Sequence, residues 1–436
     1  MTRIAIIADD LTGASDSGVQ FARKGLATQV IFDLNYFASD NGEIGAVVID
    51  TDSRSVPRED AYARVHEAAV QVSRAGFKHV YKKMDSTLRG NLGVEIDAVL
   101  DEIPMDFALI APAFPKIGRT TLQGIHYLNG VPVHQTEIAQ DPKCPVNESD
   151  LLKLFASQSK RKAGLISLEL LHAGKESVLS RIKTYLQEDI QLIMFDAVTE
   201  EDMQQIAEMM ASSDYRILWA GSAGIADYLP KALSLPVSGH QRQQLSYSNN
   251  PVLLVAGSIS KVTRSQVSAF NTNSSITAVE LDTVQMISSD EGREQEIARC
   301  RSELLAALAQ GSDVSLYASS SPEQVRLSKA AGAQRGLDDT QVSNQIASVL
   351  GEIASGIMEK VPLQGVILTG GDTAKAVCKH LGVTGIELIE EIEAGIPLGK
   401  LIGSMPLWVV TKAGAFGNEQ SLVKAQHVLK GVSSNE

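Results

Sequence analysis

The amino-acid sequence predicts an α/β protein made of two α/β domains with mostly parallel sheets. Three observations predict it. The chain has 436 residues, more than a single hydrophobic core usually organises. Short β-branched runs alternate with helix-period stretches, the pattern of parallel strands covered by helices. A stretch without apolar periodicity, "LSLPVSGHQRQQLSYSNN" (233–250), separates two such alternating sets. The expected organisation is a first domain over 1–235, a linker over 236–250 and a second domain over 251–436.

In the first set the strands are "RIAIIA" (3–8), "ATQVIFD" (27–33), "GAVVIDT" (45–51), "HVYKKM" (79–84) and "FALIAPA" (107–113). Helical stretches follow at 15–25 and 58–76, with Ser or Asp near their starts and Gly25 and Gly76 at their stops. Residues 112–150 break the rhythm. There "GIHYLNGVPVH" reads as a hairpin turning at Asn129-Gly130, with Pro132 suited to an edge strand. Alternation resumes with "KAGLISLELL", "IQLIMFDAV" and "YRILWAGSAGIADYL". After the linker come "PVLLVAGSISK", "ITAVELD", "DVSLYASSSP", "GVILTGGDTAKAV" and "LWVVTKAGAFG".

Composition narrows the function. Lys and Arg number 39 against 52 Asp and Glu, a formal net charge of −13. That balance argues against nucleic-acid or anionic-membrane partners, which need a basic face. Cys144, Cys300 and Cys378 lie far apart without CxxC spacing, as free thiols of a reducing compartment do. "MTRIAIIADD" meets acids after four apolar residues, so no signal peptide is expected, and the apolar runs are strand-sized. A cytoplasmic protein follows as the expectation, and a homo-oligomer stays open. His126 and His134 fall on the hairpin, and no histidine shows metal-ligand spacing. A surface or interface role suits them better than catalysis.

Ligands of open α/β sheets bind at the carboxyl ends of strands. In the second half those ends are small and polar: "AGSISK" (256–261), "ASSSPEQ" (318–324), "TGGDTAK" (369–375) and "KAGAFGN" (412–418). Glycine permits close backbone approach, and helix-start amides favour negative charge. Each loop alone could be a tight turn; four in one domain suggest a phosphate floor. There is no GxxxxGK[ST] loop and no GxGxxG after the first strand, which disfavours P-loop and dinucleotide enzymes. Asp372 in "TGGDTA" is a helix N-cap, a general base for a hydroxyl attacking phosphate, or a carboxylate that holds magnesium through water.

The first half differs. Its first strand ends in adjacent carboxylates, Asp9 and Asp10, which repel unless a cation, a metal or a polar ligand sits nearby. "DTDSRS" brings Asp50, Asp52 and Arg54, and "KKMDSTLRGN" brings Lys82, Lys83, Asp85, Ser86, Thr87 and Arg89. Cations interleaved with Asp and hydroxyls suit a small hydroxylated anion, although a solvated charged turn would read the same way. Strand alternation sends Lys82 and Lys83 to opposite faces, so only one of them is expected to point into the site. Of the acid pair, one is expected to hold substrate hydroxyls and the other to tie the Thr12-Gly13 turn, and strand alternation alone does not choose between them. For Arg119, in "FPKIGRTTLQG", a binding role and a loop-stapling salt bridge are equally open.

"IADDLTGASD", "KKMDSTLRGN", "APAFPKIGRTT" with "DPKCPV", "GSISK", "TGGDTA" and "KAGAFG" together resemble the four-carbon acid sugar kinase family, in order and over nearly the whole chain. Its members phosphorylate tetronate-type acids with ATP. The opening "DDLTGASDSGVQFARKG" looks most like the members acting on D-threonate, with D-erythronate or 3-oxo-tetronate as alternatives. The resemblance implies an N-terminal sugar-acid domain, a C-terminal nucleotide domain, and an active site in the cleft between them that closes about the linker. It implies that Asp9, Arg54, Lys82, Lys83, Met84 and Asp85 contact the acid. It implies that Ser258, Gly370, Gly371, Asp372, Thr373 and Gly414 line the ATP site, with Mg2+ on the phosphates and no protein metal cage. A non-catalytic sensor that closes on a sugar acid is the reading from another class.

Overall fold

A computed structural model describes residues 3–32, 34, 44–141, 143–236, 245, 247–414 and 416–432. Of the expected linker, 237–244 and 246 lie outside the described residues, as do Asp33 of the second predicted strand and Ala415 of "KAGAFGN". The chain divides into two compact units, Met1–His240 and Gln241–Glu436.

The first unit carries β1 (Ile4–Ala8), β2 (Thr28–Ile31), β3 (Ala46–Asp50), β4 (His79–Lys83) and β5 (Phe107–Ala111). An antiparallel trio follows, β6 (Arg119–Leu122), β7 (Ile125–Leu128) and β8 (Val131–Pro132). The main sheet then takes β9 (Lys162–Ile166), β10 (Ile190–Phe195) and β11 (Ile217–Gly221). Its order is β2-β3-β1-β4-β11-β5-β10-β9, and every pairing within it is parallel. Every residue of β1, β5 and β11 is buried, as strands covered on both faces require. The chain winds from β1 out to β2, back to β3, and then crosses to β4 on the other side of β1. That reversal opens a crevice at the carboxyl end of β1, which the loops after β1, β3 and β4 line.

Helix α1 (Leu11–Arg23) begins four residues before the expected start at Ser15. The reason is Asp10: extended at φ −151 and ψ 159, it accepts from the Gly13 amide and caps the helix at once. What reads in sequence as a Thr-Gly-Ala-Ser turn is the first helical turn. The hairpin turns where expected, with Asn129 at φ 51 and Gly130 at φ 80, the left-handed pair of a type I′ turn. Pro132 stands on the edge strand, and β6 extends the hairpin to three strands.

The second unit holds β12 (Val252–Ala256), β13 (Ile276–Leu281), β14 (Asp313–Ala318), β15 (Gly365–Thr369), β16 (Gly385–Glu393), β17 (Ile396–Ile402) and β18 (Trp408–Lys412). Within the unit the order is β13-β14-β12-β15-β18-β17-β16, parallel from β13 to β18 and antiparallel beyond. The strand order again reverses beside the first strand, here β12, so its crevice receives "GSISK". The β16–β17 pair was not foreseen, although "IELIEEIE" alternates with the period of a strand. Among the described residues no helix is long and apolar enough to cross a membrane.

Two glycines separate backbone strain from crowding. A Cβ at Gly130 meets nothing within 4 Å, whereas one at Gly221 stands 2.3 Å from the Ala111 carbonyl oxygen of the neighbouring strand. Gly130→Ala should therefore cost about 1–2 kcal/mol, the left-handed penalty alone. Gly221→Ala should reach or exceed the upper end of about 1–3 kcal/mol expected for overpacking. Urea denaturation of the two variants checks the order.

Candidate functional site

In the first unit, β1 runs directly into Asp9 and Asp10. The loop after β3 is laced onto that end: the Ser53 and Arg54 amides donate to the Asp9 carbonyl at 3.0 and 3.2 Å, and Thr51 Oγ1 donates to the Ala8 carbonyl. This places the Arg54 guanidinium between the two acids. Its Nε and Nη2 donate to Asp9 at 2.7 and 3.0 Å, and its Nη1 and Nη2 to Asp10 at 2.7 and 2.6 Å. Burial pushes the Asp9 carboxyl up, but Arg54, with Lys82 and Lys83 behind it, outweighs that and holds it below the usual range. For Asp10, burial together with the Asp9 charge prevails over Arg54 and Lys83 and raises it. Asp9 is 1% exposed and Asp10 25%, so the outer acid is the more accessible of the pair.

Lys82 and Lys83 diverge as strand alternation requires. Lys82 Nζ meets Glu95 Oε2 at 2.7 Å in a pair whose members are each 1% exposed, Glu95 being on helix α3 (Leu92–Glu102), which follows α2 (Arg58–Arg74). Ser53 Oγ donates to the other Glu95 oxygen at 2.6 Å. Lys83 turns toward α1, donating to the Met84 carbonyl at 2.7 Å and lying 3.1 Å from where a Cβ on Gly13 would stand. The Met84 side chain is buried in the core. Asp85 accepts from Arg89 Nε and Nη2 at 2.9 and 3.1 Å and from Thr87, while Arg54 lies 3.8 Å away. Burial would raise the Asp85 carboxyl, but Arg89 and Arg54 hold it well below its ordinary value. Leu88, in the same loop, stands at φ 67, a left-handed conformation costly for a bulky side chain and concentrated at functional sites. His126 is no surface residue. It is buried between Thr121 Oγ1 and the Ser86 carbonyl, at 2.9 Å from each, and burial lowers it to about 4. It ties the β6–β7 hairpin to the loop after β4.

In the second unit three loops interlock. A Cβ on Gly257 would stand 2.3 Å from Thr373 Oγ1, and one on Gly414 would stand 2.4 Å from Ser258 Oγ. Ser260 caps helix α4 (Lys261–Asn271) and donates to the Gly414 carbonyl at 2.5 Å, as does Thr263 at 3.0 Å. Gly370, at φ 101, is the N-cap of helix α5 (Gly371–His380). Asp372 is thus not the N-cap: it is exposed in the first helical turn, where negative charge suits the helix dipole. A cavity of about 400 Å³ opens beside these loops, with Ser258, Ser319, Ser320 and Ser321 among its polar lining and Ala256, Val267 and Tyr317 among its apolar lining. That volume and mixture suit a small organic ligand.

Two residues carry more of this architecture than the sequence suggested. Glu95 was overlooked because one acid within an amphipathic helix looks like solvated surface. Lys412, at the end of β18, is 1% exposed with no carboxylate partner among the described residues. Its ammonium reaches the carbonyls of Ala413, Gly414 and Phe416 at 2.6, 3.3 and 3.1 Å and Thr263 Oγ1 at 3.4 Å. A lysine closing the apolar run "LWVVT" was the available signal. Among the described residues no group of three or more His, Cys, Asp or Glu could hold a metal.

Family models of a sugar-binding N-terminal domain and a nucleotide-binding C-terminal domain match residues 4–229 and 253–422. The chain is 35% identical to the D-threonate kinase of Salmonella typhimurium, covering 98% of each protein. It is 31% identical to the D-erythronate kinase of Heliobacterium modesticaldum, covering 100% of this chain and 99% of that one. With the 3-oxo-tetronate kinase of Pseudomonas savastanoi the identity is 28%, over 99% and 98%. Among solved structures, one from Salmonella typhimurium LT2 shares the fold at a TM-score of 0.81 and 24% identity, covering 98% of this chain and 99% of that one. A Haemophilus influenzae protein matches at 0.73 and 26%, covering 98% and 100%.

Removing one member of the Lys82–Glu95 pair leaves a buried charge alone, so Glu95→Ala should lose about 3–5 kcal/mol of stability in urea denaturation. Burial pushes Lys412 down to about 7 from 10.5. Between those values the unfolded chain binds a proton that the folded chain lacks, so stability should rise with pH across that window relative to Lys412→Met. Below about pH 7 the difference between the two proteins should be flat. Unfolding midpoints from pH 6 to 10 test this.

Proposed function

This chain belongs to the four-carbon acid sugar kinase family, and we propose that it transfers the γ-phosphoryl group of ATP to the terminal hydroxyl of D-threonate, giving 4-phospho-D-threonate. The observation that carries this reading is the full-length 35% identity to a D-threonate kinase. The 31% identity to a D-erythronate kinase supports the epimeric acid as the second reading.

In this mechanism Asp9, Arg54 and the Lys82 to Asp85 run form the acid-sugar site of the first unit. Arg54, on the loop after β3, bonds both aspartates at the end of β1 and keeps Asp9 ionised, so that substrate hydroxyls meet oriented oxygens. The Arg89–Asp85 pair and the His126 bond to the Ser86 carbonyl hold the adjoining loop after β4. In the second unit Ser258, Gly370, Gly371, Thr373 and Gly414 take the nucleotide, with backbone close enough to approach phosphate and the start of α5 favouring negative charge. The donor set fits a magnesium ion carried in on the phosphates, and Asp372 is the carboxylate we assign to hold it through water or to take the hydroxyl proton. Bound there, the metal would neutralise phosphate charge.

ATP consumption measured against a panel of tetronates should be greatest with D-threonate; no consumption with any of them would overturn the reading. Arg54→Ala releases the repulsion between Asp9 and Asp10 and should raise KM for the acid at least about tenfold. KM for ATP should stay near the original value, and an equal loss for both would refute the assignment of the acid to the first unit. Asp372→Asn should lower kcat by about 10²–10⁴ if Asp372 is the base, with little change in either KM. Turnover near the original would remove it from the chemistry.

A further inference from the structure

The cations around the acid-sugar site are unevenly paired. Four of the five N–H donors of Arg54 go to Asp9 and Asp10. Arg89 is divided between Asp85 and Asp141. Lys82 is buried against Glu95. These three cations are already matched by acids of the protein and have little left for an incoming carboxylate.

Arg119 differs from them. It pairs with no carboxylate among the described residues, which disposes of the loop-stapling salt bridge. Among the described residues its Nη1 donates to the Ile117 carbonyl alone, and its Nε is buried without a partner. The residue is nonetheless firmly placed. It opens β6 immediately after Gly118 at φ 76, and its backbone exchanges bonds with Phe114 at 2.8 and 3.1 Å. His126, across the hairpin, bonds the loop that carries Asp85 and so ties the hairpin to it. The guanidinium is close enough to interact with Asp85, Asp16, Arg89 and Glu137, which puts it at the rim of the same cluster. A partly buried arginine with an orphaned donor is costly to keep unless a ligand completes it.

We propose that Arg119 is the residue that receives the carboxylate of the sugar acid, through the two-pronged guanidinium contact that matches carboxylate geometry. The proposal rests on the sugar-acid kinase reading above. Lys83, which donates to the Met84 carbonyl, is the other cation of the cluster without a carboxylate within ion-pair reach. It offers a single point of charge rather than a planar fork. Arg119 thereby becomes the group that separates a tetronate from a neutral four-carbon polyol of the same hydroxyl pattern.

The test compares kcat/KM for D-threonate and for the matching tetritol in the original protein, Arg119→Met and Arg119→Lys, with melting temperatures recorded for each. Arg119→Met should lower kcat/KM for the acid about 10- to 100-fold, through KM, while leaving the tetritol within about twofold. KM for ATP should not move, and Arg119→Lys should recover part of the loss. An unchanged KM for the acid overturns the proposal, and so does an equal fall for acid and tetritol, the result expected of a loop support. Should Arg119→Met fail to fold, the acid-to-tetritol ratio of Arg119→Lys decides in the same way. If the original protein consumes ATP with no tetronate, the kinase reading itself falls. If it does so normally and the ratio is insensitive to Arg119, only this assignment falls.

Discussion

The acid-sugar site proposed for the first unit depends on one guanidinium between two carboxylates. Adjacent acids at the mouth of a buried strand repel, and burial sharpens that repulsion by removing water. Arg54 resolves it with four hydrogen bonds drawn from a loop that is itself bonded to the carbonyl of Asp9. The constraint is mutual. The acids hold the arginine charged far above any accessible pH, and the arginine keeps Asp9 ionised in spite of its burial. Asp10 adds a second duty, since the oxygen that accepts from Arg54 Nη2 also accepts from the Gly13 amide and starts α1. Helix start, strand end and acceptor geometry are therefore one arrangement.

The second unit solves a different problem with different means. A polyphosphate needs many donors and little bulk; the loops after β12 and β18 leave no room for an extra carbon at Gly257 and Gly414, and the loop after β15 turns on Gly370 at φ 101. Beneath them Lys412 is surrounded by neutral oxygens rather than by an acid. Burial without a carboxylate among the described residues pushes it down to about 7, so an anion placed nearby would favour its protonated form.

Much of this was legible in the sequence, and the failures have physical causes. Strand–helix alternation gave the parallel strands because period and composition are local properties. The Asn129-Gly130 turn was readable because its backbone demands those residues. The start of α1 was missed by four residues because Ser15 and Asp10 are both good caps, and the choice between them is made by how β1 ends. Asp372 was weighed as a cap for the same kind of reason, but Gly370 alone accepts the φ of 101 there. Asp9, Arg54, Lys82, Lys83 and Asp85 stand out by charge pattern and lie together in the structure, whereas Met84, implied by the resemblance, turns its side chain into the core. Which of those cations are already paired was not readable, because Glu95 lies 13 positions beyond Lys82 on a helix face that only packing defines.

That last distinction matters for how a protein of net charge −13 could take two anionic ligands. Overall charge opposes both, so selection must come from local groups whose charge is not already balanced. Counting positive residues near the first site would favour Arg54, the most prominent of them. Pairing reverses the order: a cation with four bonds to acids is part of the framework, and one with a buried, partnerless nitrogen is available to a ligand. By that criterion Arg54, Arg89 and Lys82 are the framework of the proposed site, and Arg119 is the cation proposed to select an acid.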